Sequence, residues 1–168
     1  VTFARALMTS QLVINDESVK AMFSKFFIDQ EEKPRFVATT VLKLLGDVVS
    51  EMDVPAFNYH DPEGAFQWHG LQGQWNISSD LNRIDGPMKF DGIQVVSPTM
   101  KIHFDGLAFD YHQKESSSGL WTGKGTFNFP LLLVNADGEP AFELSGLNIL
   151  SDSQVTHDLF SQNTHMKM

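Results

Sequence analysis

The sequence predicts a mainly β protein of the α+β class, in which a long, curved antiparallel meander is accompanied by one amphipathic helix near residues 16–28. From Phe66 onward, apolar residues recur with a period of two, which is typical of half-buried strands. Turn signals that contain glycine separate these runs, and a single earlier stretch has the helical period. We interpret the chain as one β-rich domain or a fragment of a longer protein, with a strand–helix–strand segment at 1–53 and a repeated β-meander at 54–168.

The composition of the 168 residues excludes several classes of protein. With 42% hydrophobic residues the chain is too apolar to be disordered. Its net charge of −9, without a cluster of Lys and Arg, argues against a nucleic-acid partner. The absence of cysteine excludes disulfides, thiolate metal sites and cysteine nucleophiles. No run of apolar residues approaches the ~18–20 that a membrane-spanning helix needs.

The predicted helix runs from about Asp16 to Ile28. Asn15 or Asp16 can cap its first turn, and Pro34 stops it from continuing. Its apolar residues recur at helical spacing: Val19, Met22, Phe23, Phe26 and Phe27. We interpret this stripe as a buried face.

The next stretch admits two interpretations. Its β-branched residues and the turn signal Gly46-Asp47 favour a hairpin of Phe36–Leu45 and Val48–Tyr59. A long helix is the alternative, because some of its apolar residues also fit a helical stripe: Val41, Leu44, Leu45, Val48, Val49 and Met52.

The strongest strand signal covers Trp121 to Leu133, where every odd position is apolar or glycine. The even positions as far as Asn128 are polar, so one face of this strand should be buried. Pro130 has no N–H to donate to a ladder, which predicts that the strand lies at an edge or bends there.

A small-polar residue followed by glycine interrupts three apolar runs: Phe90-Asp91-Gly92, Phe104-Asp105-Gly106 and Leu144-Ser145-Gly146. The apolar phase slips by one residue at each of them. We interpret each as a G1-type bulge that keeps the apolar side inward. A loose repeat, which pairs Trp68-His69-Gly70 with Trp121-Thr122-Gly123, supports a duplicated meander.

Most of the excess negative charge lies in turn signals, so we interpret it as turn chemistry and not as a cation site. The signals are Asp61-Pro62-Glu63-Gly64, Asp85-Gly86-Pro87, Asp91-Gly92, Asp105-Gly106 and Asn135-Ala136-Asp137-Gly138.

The sequence carries no catalytic signature. It lacks the Gly-x-Ser-x-Gly and Ser-x-x-Lys motifs, and the glycine-rich run Gly119–Thr126 fails the spacing of a phosphate loop. Two of the six histidines, His60 and His112, have a glutamate three residues later, but both pairs straddle predicted turns and lack the rigid helical face of a zinc motif. We therefore predict no enzyme activity, no catalytic or metal-binding residue and no cofactor.

Four aromatic residues are candidates for lining a hydrophobic-ligand groove: Trp68, Trp75, Trp121 and Phe127. The alternative, which the sequence favours for the tryptophans, is that they fill the core.

The run Val54–Tyr59, the run Phe66–Gly73 and Phe104-Asp105-Gly106-Leu107 together resemble the YdgA-like family of uncharacterised gamma-proteobacterial envelope proteins. Gln11–Val19 is similar to the strand-into-helix segment of that family. The resemblance implies that this chain is a middle fragment of a periplasmic protein held in the inner membrane by an anchor that this chain lacks. It transfers no catalytic residue. The long β-repeats of the family also look like those of AsmA-type envelope proteins, which are implicated in lipid movement.

Three functions follow as expectations. The first is a non-enzymatic, β-rich envelope module that acts as a scaffold or binds a hydrophobic ligand such as a lipid on its curved sheet. The second is a protein–protein interaction module that meets another envelope protein through an exposed edge strand or the 16–28 helix. The third is an enzyme whose site the sequence does not reveal.

Overall fold

A computed structural model describes residues 4–11, 37–157 and 159–168. These residues form a single antiparallel sheet of 13 strands. In chain order the strands are β1 Ala4–Gln11, β2 Val37–Lys43, β3 Val48–Val54, β4 Phe57–Asp61, β5 Gly64–Trp68, β6 Leu71–Ile77, β7 Arg83–Phe90, β8 Ile93–Val96, β9 Met100–Phe104, β10 Leu107–Glu115, β11 Trp121–Ala136, β12 Glu139–Thr156 and β13 Leu159–Lys167.

The described part of the chain is all β, so the predicted α+β class is wrong. No helix occurs among the described residues, where the regular elements pair their backbone groups between strands. The predicted helix at 16–28 lies outside the described residues. Likewise, no helix in the described ranges is long and apolar enough to cross a membrane.

The predicted hairpin of Phe36–Leu45 and Val48–Tyr59 is confirmed over β2 and β3. β2 and β3 pair antiparallel, with Leu42 opposite Val48 and Val37 opposite Asp53. Gly46, with a φ of 94°, lies in the turn that joins them. The alternative of a long helix is therefore wrong for residues 37–54, since their β-branched side chains and the glycine turn outweigh the helical stripe.

Most short strands are halves of longer ones. β3 and β4, β5 and β6, β7 and β8, and β9 and β10 are each separated by only two residues. The register continues through these interruptions: Leu71 faces Phe90 on one side, and Trp68 faces Ile93 on the other, which is the same alignment. The central sheet is therefore a meander of long strands with a break in the middle of each.

The breaks lie side by side and form a line across the sheet that we call the seam. Its members are Pro55-Ala56, His69-Gly70, Asp91-Gly92, Asp105-Gly106, Pro130 and Gly146. Backbone hydrogen bonds still cross between neighbours in the seam, since His69 N donates to Gly92 O at 3.0 Å and Asp91 N donates to Gly70 O at 2.9 Å. The seam therefore interrupts the strands, but backbone hydrogen bonds still join neighbouring strands along it.

The predicted G1 bulges are wrong, because the small-polar residue and glycine at each break do not shift the register of the paired strands. A G1 bulge places two residues opposite one, whereas here the register is the same on both sides of the break. The glycines do have positive φ, 111° at Gly92 and 90° at Gly106. In both paired strands the alternation of apolar and polar side chains slips by one residue at the break. The apolar side chains on both sides of the seam therefore lie on the same face of the sheet.

Pro130 does not lie at an edge. β11 pairs with β12 along one side, and along the other side it pairs first with β10 and then with β9. Pro130 occupies the position where the partner changes, between Asn128 opposite Ala108 and Leu132 opposite Phe104. The missing N–H therefore falls where no regular ladder bond is needed.

A further turn signal, like Asp91-Gly92 and Asp105-Gly106 in the seam, does not reverse the chain. Asp85-Gly86-Pro87 lies inside β7, where an added Cβ on Gly86 would come within 1.8 Å of Gln74 O. The pairing of β6 with β7 lapses beside this site, between Gly73 opposite Met88 and Asn76 opposite Asp85. Glycine and proline here permit a close backbone approach and do not reverse the chain.

The turn between β4 and β5 is built around the Asp61 carboxylate. The Tyr59 hydroxyl donates to Asp61 Oδ2 at 2.6 Å, and the backbone N–H groups of Glu63 and Gly64 donate to Oδ1 at 2.8 Å each. The Tyr59 hydrogen bond is the main cause that holds the pKa of Asp61 below its ordinary value. Desolvation opposes it, and the backbone donors add to it.

We expect Tyr59→Phe to raise the pKa of Asp61 toward its ordinary value, measured by NMR titration of the carboxyl carbon. Because the folded pKa is lowered, this carboxylate stabilises the fold above the unfolded pKa, and the contribution is lost as the pH falls through the folded pKa. The variant should therefore lose less stability on acidification than the wild type. Asp80, whose pKa is lowered mainly by Ser78, is the internal control and should not move. An unchanged Asp61 titration would contradict this account.

The two faces of the sheet differ in chemistry. Cross-strand partners lie on the same face, so the apolar row Met88, Phe109, Phe127 and Ile149 occupies one face and the row Asp85, His112, Lys124 and Asp152 the other. We call these the apolar face and the polar face. Among the described hydrophobic residues, only Val54 and Phe57 are buried. Both lie next to the seam.

Candidate functional site

A continuous row of aromatic rings follows the seam on the apolar face, and we call it the aromatic ladder. The distances between ring centroids are 6.0 Å for Phe57 and Trp68, 4.6 Å for Trp68 and Phe90, 5.5 Å for Phe90 and Phe104, 5.0 Å for Phe104 and Phe129, and 6.4 Å for Phe129 and Phe127. Phe66 joins at 5.9 Å from Phe57. Rings from both sides of the seam therefore touch, so both halves of the sheet present their apolar side chains on one side.

A short motif positions the middle of the ladder. Trp68, Phe90 and Phe104 each stand two residues before a seam glycine. In this position the ring comes from the last residue of a strand, and the glycine lets the neighbouring backbones approach. A Cβ on Gly92 would lie 2.1 Å from Phe104 O, so the glycine is required at this spacing.

The indole N–H of Trp68 is the chemically unusual group of the ladder. It is buried and has no hydrogen-bond acceptor among the described residues. A buried donor without an acceptor costs about 1–3 kcal/mol. This N–H therefore favours contact with a group that carries an acceptor oxygen.

The polarity of the apolar face is low away from the ladder as well. Burial, and secondarily the charge of Asp85, raises the pKa of the Tyr111 hydroxyl above its ordinary value. The Tyr111 ring contacts Phe109 on the same face, with centroids 5.2 Å apart. The face is thus apolar well into the half of the sheet that contains β10.

The four residues predicted to line a groove lie at different places. Trp68 is in the middle of the ladder and Phe127 is at its end. Trp75 lies on the apolar face opposite Ser50, and its indole packs over Gly73. Trp121 lies at the far end of β11, 44% exposed and opposite Glu115, away from the ladder.

Sequence reasoning missed five ladder residues: Phe57, Phe66, Phe90, Phe104 and Phe129. A signal for two of them was present, because Trp68-His69-Gly70 has the same aromatic-x-Gly pattern as Phe90-Asp91-Gly92 and Phe104-Asp105-Gly106. Read together, these three motifs place three rings at the same position of neighbouring long strands.

The polar face carries exposed ion pairs. His112 lies 3.3 Å from Asp85 and 3.7 Å from Asp110, and Arg83 lies 3.1 Å from Asp85. Exposed pairs of this kind contribute about 0–1 kcal/mol each. In the described ranges, no group of three or more His, Cys, Asp or Glu side chains is arranged to hold a metal ion.

The polar face also has a depression of about 590 Å³, lined by Val37, Thr39, Glu51, Met52, Asp53, Gln72, Gly73, Gln74, Pro87 and Lys89. It contains carboxylates, amides and one ammonium group but no aromatic ring. Its polar groups are already well solvated in an open depression, so a ligand would gain little by replacing water there. The aromatic ladder is therefore the stronger candidate site.

Comparisons with curated proteins and with solved structures find no match to this sequence. The model of one protein family, described as bacterial protein of unknown function (DUF945), matches residues 1–168. The match covers the whole chain, including the strands that form the seam and the ladder. The chain therefore belongs to the DUF945 family of bacterial proteins.

Proposed function

We propose that this chain is a non-enzymatic module of a bacterial envelope protein and binds the acyl chain of a lipid along the aromatic ladder. The observation that carries the proposal is the unbroken row of rings from Phe57 to Phe127, with the buried indole N–H of Trp68 in its middle. The envelope location rests on the resemblance to YdgA-like proteins and is part of the proposal.

The chemistry of the apolar face supports a chain-like apolar ligand. Trp68, Phe90 and Phe104 are only half-buried, so their rings keep surface that an acyl chain can cover. Burying apolar surface contributes about 25 cal/mol per Å². A row of rings at 4.6–6.4 Å spacing offers this surface along a line, which matches the shape of an extended hydrocarbon.

The Trp68 N–H adds a requirement for a polar atom in the ligand. A lipid ester carbonyl accepts this hydrogen bond once the groups that cover the indole N–H move apart to admit it, because the N–H has almost no exposed surface in the unliganded sheet. Pure hydrocarbon would leave the donor unsatisfied. The proposed ligand class is therefore an acyl ester and not an alkane.

Native mass spectrometry of the full chain, purified from bacteria without detergent, tests the proposal directly. We expect an adduct with the mass of a membrane lipid that is released by organic extraction. A chain that carries no lipid and also fails to bind added acyl esters would overturn the proposal.

We expect Trp68→Phe to separate the contribution of the N–H hydrogen bond from that of the ring contacts. The variant keeps a ring in the ladder and loses only the N–H, so its affinity for a parinaric acid methyl ester should fall about tenfold, or ~1.4 kcal/mol. Its affinity for diphenylhexatriene, a hydrocarbon without an acceptor, should not change. Fluorescence titration with both probes measures this. Removal of an unsatisfied donor should also leave the unliganded protein as stable as the wild type or more stable.

Trp121→Phe is the matched control, because Trp121 lies outside the ladder and is exposed. It should bind both probes as the wild type does. Equal losses in the two variants would show that the ester does not meet Trp68.

A further inference from the structure

The position of Trp68 in the aromatic ladder gives the proposed ligand a direction. On one side of Trp68 the ladder continues through four more rings to Phe127. On the other side it ends at Phe57 and Phe66, which belong to β4 and β5. An acyl ester whose carbonyl meets the Trp68 N–H therefore finds the longer apolar track toward Phe127. Its headgroup is left on the side of β4, the outermost described strand in that direction.

The apolar-face positions of β4 lead from the ladder to a carboxylate. Phe57 lies opposite Trp68 and Tyr59 opposite Phe66, so both belong to the apolar face. Asp61 follows two residues after Tyr59 and accepts its hydroxyl hydrogen bond at 2.6 Å, which places the carboxylate on the same face. At the usual rise of a strand, Asp61 lies about 13 Å along β4 from the level of Trp68.

The surroundings of Asp61 keep it charged. The Tyr59 hydroxyl and the backbone N–H groups of Glu63 and Gly64 all donate to the carboxylate, and donors favour its ionised form. The pKa of Asp61 is accordingly lowered, with the Tyr59 hydrogen bond as the main cause. A headgroup on the β4 side of the ladder therefore meets a negative charge.

The cations nearest in sequence to the ladder are on the other face of the sheet. In residues 37–157, which contain the whole ladder, every lysine and arginine occupies a polar-face position in a strand: Lys43, Arg83, Lys89, Lys101, Lys114 and Lys124. Arg83 lies 3.1 Å from Asp85, and Lys124 lies 3.8 Å from Asp152. Within these strands, the charged side chains at apolar-face positions are all acidic: Asp61, Glu115 and Glu139.

This distribution of charge discriminates between headgroups. An anionic headgroup beside the ladder would lie on apolar surface without a cation to pair with, and an unpaired charge on such a surface is costly. It would also be repelled by Asp61. A cationic headgroup is attracted by the same carboxylate. The hydrogen bond from Trp68 does not discriminate, because both kinds of ester carry the same carbonyl.

We infer that Asp61 is a specificity residue of the ladder, which selects acyl esters with a positively charged headgroup over those with a negatively charged one. This inference rests on the lipid-binding function proposed above and adds the charge of the ligand to it. Glu115 and Glu139 lie at the ends of other strands, so Asp61, in the hairpin that carries Trp68, is the carboxylate that the headgroup meets.

Two esters of one acyl chain and opposite charge test the inference. Lauroylcholine and carboxymethyl laurate each displace parinaric acid methyl ester from the full chain, and the loss of fluorescence at pH 8 gives their affinities. At about 10 mM salt, where charges act over about 30 Å, lauroylcholine should bind about tenfold more tightly. In about 1 M salt, where that distance is about 3 Å, the preference should disappear.

Asp61→Asn removes the charge and keeps an oxygen that can accept the N–H groups of the turn. The variant should bind the methyl ester as the wild type does, and its preference for lauroylcholine at low salt should fall to about twofold or less. Asp152→Asn is the matched control, because it removes the same charge from the polar face. It should keep the full preference.

Equal affinities of the two charged esters for the wild type would overturn the inference and leave the lipid proposal standing, provided that the methyl ester binds. A preference that survives in Asp61→Asn, or that resists salt, would also overturn it. A chain that binds none of the three esters would instead overturn the proposed function itself.

Discussion

Replacing Gly106 with alanine is expected to destabilise the fold by about 4 kcal/mol or more, a loss that few single substitutions reach. Gly106 has a φ of 90°, and a Cβ there would lie 2.0 Å from Phe90 O and 2.9 Å from Gly92 N. These atoms belong to the neighbouring strand of the seam. They cannot withdraw without breaking the alignment of two long strands.

Gly138→Ala is the matched control for this prediction. Gly138 has almost the same φ, 86°, but nothing lies within 4 Å of the added Cβ. Its cost should be only the left-handed backbone penalty of about 1–2 kcal/mol. Urea unfolding of both variants separates conformational strain from close packing. Equal losses would show that the seam tolerates a side chain.

The sequence predicted the local chemistry of the seam better than its arrangement. The slip of apolar phase at Asp91-Gly92 and Asp105-Gly106 was visible as a pattern, and it requires glycines with positive φ. A single strand cannot reveal that its neighbours are interrupted at the same level. The alignment depends on the lengths of all the intervening hairpins, so the sequence alone indicates separate bulges.

Pro130 shows a related limit. A proline in a strand pattern predicts a place without a ladder bond, and the sequence offered only an edge or a bend. The structure satisfies the same requirement inside the sheet, at the point where β11 exchanges β10 for β9. The pairing of strands that are distant in sequence decides between these outcomes, and local residue preferences do not predict that pairing.

The candidate site was only partly predictable for the same reason. Trp68 and Phe127 are predictable because a large aromatic residue in an alternating strand pattern is by itself a candidate lining residue. Phe90 and Phe104 directly precede the Asp-Gly pairs, so their sequence context indicates a break in the strand and not a site residue. The ladder exists only because residues from β5, β7 and β9 stand in register, which is a property of the sheet.

A double-mutant cycle at Phe90 and Phe104 should show that the ladder stabilises the fold as a coupled unit. Phe90→Ala removes a ring that contacts both Trp68 and Phe104, at 4.6 and 5.5 Å. Complete burial would predict a loss of about 3–5 kcal/mol, and for these half-buried rings we expect about 2–3 kcal/mol for each single variant. The double variant should lose about 0.5–1.5 kcal/mol less than the two single losses combined, which is the usual coupling of an aromatic pair.

Phe142→Ala provides the comparison for this cycle, because Phe142 is 52% exposed and lies opposite Val134, outside the ladder. It should cost about 0.5 kcal/mol or less, as is usual for surface substitutions. Phe90→Leu, which keeps an apolar side chain in the gap, should restore most of the stability but not the affinity for an acyl ester. If Phe90→Leu binds the ester as tightly as the wild type, the rings serve packing alone. Additive losses in the cycle would instead show that each ring packs independently, and that the seam glycines and not the ladder hold the two halves of the sheet together.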